Sequence, residues 1–252
     1  NISAKSGAGF VHQENTNYID FYKQPLIPHE ISTQGPKIAV ADVNADGLED
    51  FYICGAKGQS GKIFLQQSNG TFRRSEDSSA FETDKNCEDV ETICFDANGD
   101  GHPDLYVTSG GNEYERNIPE LNDRLYINDG KGKMTRSAFL PSMPGNKSVA
   151  RVADFDRDGD LDIFVGGRSN GETYGIIPAS YLLENDGRGH FKDATDKMPG
   201  LRNIGMVTDG AWVDIDHDGW PDLIVVGEWM APVLFKNNRG KFIRQPLTDN
   251  DK

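Results

Sequence analysis

The chain of 252 residues is short of positive charge: 26 Lys and Arg stand against 40 Asp and Glu, for a net charge of −14. Nothing supplies a basic stripe to neutralise phosphates, which argues against a nucleic-acid partner. No run of 18 apolar residues occurs, so no helical membrane span is expected. Cysteine is scarce. Cys54, Cys87 and Cys94 are too few for a disulfide framework. Cys54 and Cys94 fall inside apolar, strand-like runs, where a free buried thiol is the expectation; one pair could still bridge and leave the third over. No signal-peptide pattern opens the sequence, and its first residue is Asn, which reads as a processed chain or a piece of a longer one. Amphipathic helical periodicity longer than a turn or two is also missing.

What the chain has is acid in a pattern. Asp154 to Asp162 reads D-x-D-x-D-G-x-x-D, with five carboxylates in nine residues. Unpaired, they repel one another, and a hard, oxygen-seeking cation such as Ca²⁺ removes that cost. The Gly at the sixth position permits the sharp turn that gathers positions 1, 3, 5 and 9 around one ion. The frame recurs at Asp42–Asp50, Asp96–Asp104 and Asp214–Asp222, at spacings of 54, 58 and 60 residues. Side-chain ligands are then Asp42, Asn44, Asp46 and Asp50; Asp96, Asn98, Asp100 and Asp104; Asp154, Asp156, Asp158 and Asp162; and Asp214, Asp216, Asp218 and Asp222. Position 7 holds Leu48, His102, Asp160 and Trp220, a variety that assigns the ligand there to the backbone carbonyl. Asp fills 14 of the 16 side-chain positions, a number equal to the whole net negative charge. The acidity is local, and up to four Ca²⁺ are expected. A twelve-position helical calcium loop is excluded, because its closing acid would fall on Ile53, Val107, Val165 or Val225. His102 and His217 lie singly in different loops and make a weak case for a transition metal.

Each loop sits in the same setting. An apolar strand leads in (37–43, 90–95, 148–155, 210–215) and a second leads out (51–54, 105–107, 163–165, 223–226). A third strand (63–65, 124–127, 181–183, 233–235) ends in hairpin chemistry, Asn69-Gly70, Asn128-Asp129-Gly130, Asn185-Asp186-Gly187 and Asn237-Asn238-Arg239-Gly240. A fourth strand (71–73, 133–135, 190–192, 241–243) closes the unit. Four antiparallel strands at this period predict an all-β fold, a β-propeller of at least four blades. The blades are placed at about 37–86, 87–146, 147–205 and 206–252. Residues 1–36 form a lead-in: a small, polar stretch without order over 1–9, then short strands at Phe10–Gln13 and Tyr18–Tyr22.

Loop, flanking strands and closing hairpin together resemble FG-GAP/VCBS repeats over residues 37 to about 245. These are the calcium-loop blades of integrin α-subunit propellers and of many secreted bacterial proteins. The lead-in resembles that of bacterial surface proteins of the VCBS, ASPIC/UnbV-like group. The resemblance implies a propeller, often seven-bladed, with calcium on one rim and partner binding on the other. It also implies a secreted or cell-surface location, with the bacterial outer surface as the leading expectation. Four repeats are too few for seven blades. The chain is then part of a larger ring or a four-bladed ring, with the first favoured and other blades or domains of the same polypeptide as its neighbours.

If calcium occupies one rim, the connections after the second strands lie on the opposite one. Those of the middle blades are long, and long loops on a rigid scaffold carry function. Tyr114, Arg116, Arg168, Tyr174 and Trp229 are the candidate ligand-binding residues there, being of types enriched at hot spots. The leading expectation is a non-catalytic recognition or adhesion module that binds an extracellular protein or glycan. The alternatives are a propeller-fold polysaccharide lyase or glycosidase, and a plain spacer. An enzyme needs a paired acid and base. Glu113, Glu115, Glu172 and Glu228 are the candidates on that opposite rim that are not committed to the acidic loops.

Overall fold

A computed structural model describes residues 3–15, 17–114 and 118–247. Sixteen strands form four antiparallel four-stranded sheets, each built from strands consecutive in sequence. The first contains β1 (Ile38–Ala41), β2 (Asp50–Ile53), β3 (Lys62–Gln66) and β4 (Phe72–Arg74). The second contains β5 (Asp89–Phe95), β6 (Asp104–Ser109), β7 (Arg124–Asn128) and β8 (Met134–Arg136). The third contains β9 (Asn146–Ala153), β10 (Asp162–Ser169), β11 (Tyr181–Glu184) and β12 (Lys192–Asp193). The fourth contains β13 (Met206–Val213), β14 (Asp222–Glu228), β15 (Val233–Asn238) and β16 (Lys241–Pro246). First strands of successive sheets touch, β1 to β5, β5 to β9 and β9 to β13, so the sheets fan out as propeller blades.

Packing between blades follows from the strand period of two. On β6, Leu105 and Val107 face the first blade and meet Tyr52, Ile63 and Leu65, while Tyr106 faces the third and meets Ile163 and Val165. On β10, Phe164 turns the other way, to Val207, Leu223 and Phe235 of the fourth blade. Every residue of β6 and β10 is buried, because each strand has a blade on both faces. Full burial of one side chain such as Phe164 is worth on the order of 1.5–3 kcal/mol. Arg151 on β9 ties the inner strands together, pairing with Glu91 of β5 at 3.2 Å and Asp209 of β13 at 2.7 Å. Outward faces of the first and last blades are apolar and open: Ile38 and Val40 are 58% and 55% exposed, and Ile243 is 53% exposed.

The lead-in departs from expectation. Neither Phe10–Gln13 nor Tyr18–Tyr22 forms a strand; the first is irregular, and the second runs into the helical turn α2 (Asp20–Lys23), after α1 (Ser3–Ser6). The reason is the buried Asp20. Its Oδ2 accepts hydrogen bonds from the Ile31 and Ser32 amides and the Ser32 hydroxyl, folding the segment on itself. The longest helix among the described residues, α3 (Ser79–Thr83), is a little over one turn. All three cysteines are free, Cys54 and Cys87 buried and Cys94 half-buried.

Candidate functional site

The four acidic loops share one geometry, imposed by their own hydrogen bonds. The first Asp (Asp42, Asp96, Asp154, Asp214) accepts from the amide of position 5 through Oδ1 and from that of the Gly at position 6 through Oδ2. The fifth-position Asp takes the amide of position 7. Two residues per loop adopt positive φ. One is the position-6 Gly; the other, at position 4, is Ala45, Gly99, Arg157 or His217. The sequence marked only the first, because a side chain at position 4 tolerates the left-handed region at a small cost.

The ninth-position Asp does a second task. Asp50, Asp104, Asp162 and Asp222 are 0% exposed. One oxygen accepts from the amide of loop position 2, and the other from the end of the third strand, at Gln66, Asn128, Asn185 and Asn237. Each thereby staples its acidic loop to its own blade. The three Asn residues then reach across to the previous blade. Asn128 donates to the Val43 carbonyl, Asn185 to Ala97 and Asn237 to Phe155, at 2.8, 2.8 and 2.7 Å. All three acceptors are position 2 of the preceding acidic loop. These residues read as turn formers in the sequence; the signal that they do more is the Asn that ends the third strand in three repeats. Asn185→Ala leaves the Ala97 carbonyl unsatisfied and is expected to cost about 1–3 kcal/mol in urea unfolding.

The loops offer oxygens to a cation. Carboxylate oxygens of Asp154, Asp156 and Asp162 lie within 4.8 Å of one another, as do those of Asp214, Asp216 and Asp218. In both loops a lysine ammonium already rests on the third-position acid, Lys197 on Asp156 at 3.2 Å and Lys236 on Asp216. Burial, with neighbouring acids adding to it, pushes Asp104 up to about 6 and Asp162 up to about 7. Burial also raises Asp50, as it does the third-position Asp156 despite the Lys197 hydrogen bond. An ion of double positive charge reverses that penalty, so the donor set fits Ca²⁺. At position 7, the His102 and Asp160 side chains lie over hairpin glycines Gly130 and Gly187, and Trp220 stacks on Arg157. Neither His102 nor His217 joins a ligand cluster among the described residues.

On the opposite rim the sequence-selected residues divide. Tyr114 and Arg168 are buried, 5% and 4% exposed, rather than presented. Tyr114 donates its hydroxyl to the Asn86 carbonyl, and Arg168 pairs with Glu228 at 2.8 Å. Tyr174 also donates to Glu228, at 2.8 Å, and the 86%-exposed Trp229 donates to the Tyr174 hydroxyl at 3.2 Å. Arg116 and Glu115 lie outside the described residues. Burial raises Glu228, but hydrogen bonds from Arg168 and Tyr174 outweigh it and hold the carboxyl below its ordinary range. Glu228 is therefore suited to pairing rather than to proton donation.

Sequence reasoning missed what covers this rim. The lead-in crosses it from blade to blade. Gln59 donates to the Val11 carbonyl at 2.9 Å, Tyr18 to Asn112 at 2.7 Å, and Gln24 to Asn170 at 2.9 Å; His29 meets Arg168 at 3.3 Å. Between the second and third blades the cover leaves a cleft of about 310 Å³. Its lining includes Tyr114, Tyr181, Asn146, Ser169, Asn170 and Asn203, and carries no formal charge.

The model of the FG-GAP-like repeat family matches residues 42–107 and again 96–165. Over 218 residues the chain is 28% identical to cartilage acidic protein 1 of Mus musculus, covering 82% of this chain and 31% of that protein. It is 24% identical to integrin alpha-5 of Xenopus laevis, covering 81% of this chain and 20% of the integrin. The chain thus spans under a third of the length of either relative. Among solved structures, a rhamnogalacturonan lyase of Bacillus licheniformis superposes with a TM-score of 0.46 at 16% identity, over 82% of this chain and 39% of that one.

Proposed function

As an FG-GAP-like repeat protein with a propeller fold, this chain is, we propose, a calcium-stabilised, non-catalytic recognition module of an extracellular or cell-surface protein. The observation that carries the reading is the fourfold acidic loop. Four copies of one hydrogen-bonded frame, each set against the hairpin of the next blade where one follows, make sense as structural cation sites. A catalyst is needed once per protein, whereas these acids recur in every blade. The two curated relatives, a cartilage protein and an integrin subunit, support the extracellular placement. The open apolar faces at Ile38, Val40 and Ile243 support a larger ring in which further blades cover them.

The ligand surface is the rim opposite the acidic loops, and its receptor is the uncharged cleft between the second and third blades. The Tyr181 ring with several amides and a hydroxyl suits a neutral, hydroxyl-rich partner such as a glycan. The exposed Trp229, held by Tyr174, extends the same rim. A screen against glycans and extracellular matrix proteins, with millimolar calcium and again with EDTA, tests the assignment. The expected result is a glycan hit that disappears in EDTA and weakens at least tenfold in Asn203→Ala, a substitution at the cleft wall. Silence in both conditions from a folded chain overturns it in favour of a spacer.

A further inference from the structure

A second group of acids lies away from the loops, where the lead-in meets the first two blades. His12 and Glu14 come from the lead-in, and Glu88 directly precedes β5. One ligand atom from each lies within 4.8 Å of the others. Glu113, from the connection after β6, joins them: a Cβ placed on Gly111 would stand 2.7 Å from its Oε2 and 3.0 Å from Glu88 Cγ. Two carboxylates thus converge on one imidazole, with that of Glu113 beside them. The carboxylates are short of partners. Oε2 of Glu14 is buried and accepts no hydrogen bond among the described residues, and the buried oxygens of Glu113 meet no donor there but their own residue's amide. Glu88 is 5% exposed and takes only the Lys57 amide, at 2.5 Å. No Lys or Arg forms an ion pair with any of the three among the described residues. The Lys57 ammonium, whose charge acts on Glu113, stands over the Tyr114 ring, 4.0 Å from its centroid. Buried carboxylate oxygens left unmatched are costly, and a proton or a cation has to offset them.

The imidazole shows what. Nδ1 of His12 lies 3.3 Å from the Cys54 carbonyl oxygen, which can only accept, so Nδ1 carries the proton. In the neutral ring the Nε2 lone pair then faces Glu14 Oε1 at 3.0 Å. Two lone pairs at that separation repel unless a proton or a metal cation sits between them. Ligands about 2.0–2.1 Å from a tetrahedral zinc ion stand roughly 3.3 Å apart, so a zinc ion fits here once the pair opens by roughly 0.3 Å. The carbonyl on Nδ1 is also the usual orienting contact behind a metal-bound histidine.

We propose that His12, Glu14 and Glu88, with Glu113 beside them, form a fifth divalent-cation site, of zinc type, on the rim opposite the acidic loops. One nitrogen with carboxylates favours Zn²⁺ over Ca²⁺, which takes oxygens alone. The ion clasps the lead-in to the first and second blades. Without it, the segment is held there by hydrogen bonds such as Gln59 to Val11 and Tyr18 to Asn112.

Equilibrium dialysis of the full chain against zinc chloride, with millimolar calcium present to saturate the acidic loops, tests the site. One zinc per chain is expected for the wild type, and none for Glu88→Gln/Glu113→Gln. His12→Ala, on the lead-in and outside every blade, guards against misfolding and is expected to weaken zinc at least tenfold while leaving thermal unfolding in calcium within a few degrees. Zinc is also expected to slow tryptic cleavage after Lys23 in the wild type but not in His12→Ala. No zinc on the wild type, or equal zinc on all three proteins, overturns the proposal.

Discussion

Excess EDTA is expected to lower the melting temperature of the chain by 10 °C or more relative to millimolar calcium. The size follows from mass action. A site held at about 100 times its dissociation constant stabilises the folded state by about 2.7 kcal/mol. For a domain of this size each kcal/mol is worth roughly 2–4 °C, so two saturated loops of the four suffice. The effect is large because each loop joins more than itself. The first-position Asp fixes the turn, the ninth-position Asp holds the third strand, and Asn128, Asn185 and Asn237 reach back from the next blade to the same loop. Losing the ion loosens two blades at once. Asp154→Ala should remove about a quarter of the calcium effect. Equal melting temperatures in EDTA and calcium would sink the calcium reading.

The chelator effect should also grow with pH, and the sign can be worked out. Without metal, burial holds Asp104 at about 6 and Asp162 at about 7, above the ordinary carboxylate value of about 4. The folded, metal-free chain therefore binds protons more tightly than the unfolded chain. Its stability from these groups is fully present below about pH 4 and is lost as pH rises through 6 to 7. Calcium supplies the missing charge at high pH. Melting in EDTA should fall between pH 5 and pH 8, while melting in calcium stays flat or rises.

Much of this architecture is written in the repeat itself. The D-x-D/N-x-D-G-x-x-D frame names its turn through one Gly and its strands through the apolar runs on either side, all local information. Strand order follows because each blade pairs only neighbours in sequence. The lead-in was illegible for the opposite reason. Phe10–Val11 and Tyr18–Tyr22 carry strand-like residues, but their structure is decided by partners far along the chain. Asp20 is bonded to Asn112 and Tyr18 to the Asn112 carbonyl, a separation of more than ninety residues. Pattern within a window carries no trace of such contacts. The same holds for Arg168 and Tyr114. Their types suggested a binding surface, whereas burial against Glu228 and Asn86 made them supports of that surface.

Arg124→Met is expected to cost about 3–5 kcal/mol, a large share of the stability of a single domain. Arg124 begins β7 and is 2% exposed; its guanidinium lies 2.8 Å from Oδ1 of Asp89, itself 4% exposed at the start of β5. The other Asp89 oxygen accepts the Tyr52 hydroxyl and the Gly55 amide, both from the first blade. A second guanidinium nitrogen donates to the Ser109 hydroxyl at 3.0 Å. Asp89 is therefore the point where the first two blades lock on the rim opposite the acidic loops, and Arg124 is the only cation paired with it among the described residues. Methionine fills the volume but strands a buried carboxylate with two neutral donors. Adding Asp89→Asn removes the stranded charge while keeping an acceptor for Tyr52, so the double variant should be more stable than Arg124→Met alone. Urea unfolding of the single and double variants decides it: a loss below 1 kcal/mol in the single variant, or no recovery in the double, would show that the ion pair is not what joins these blades.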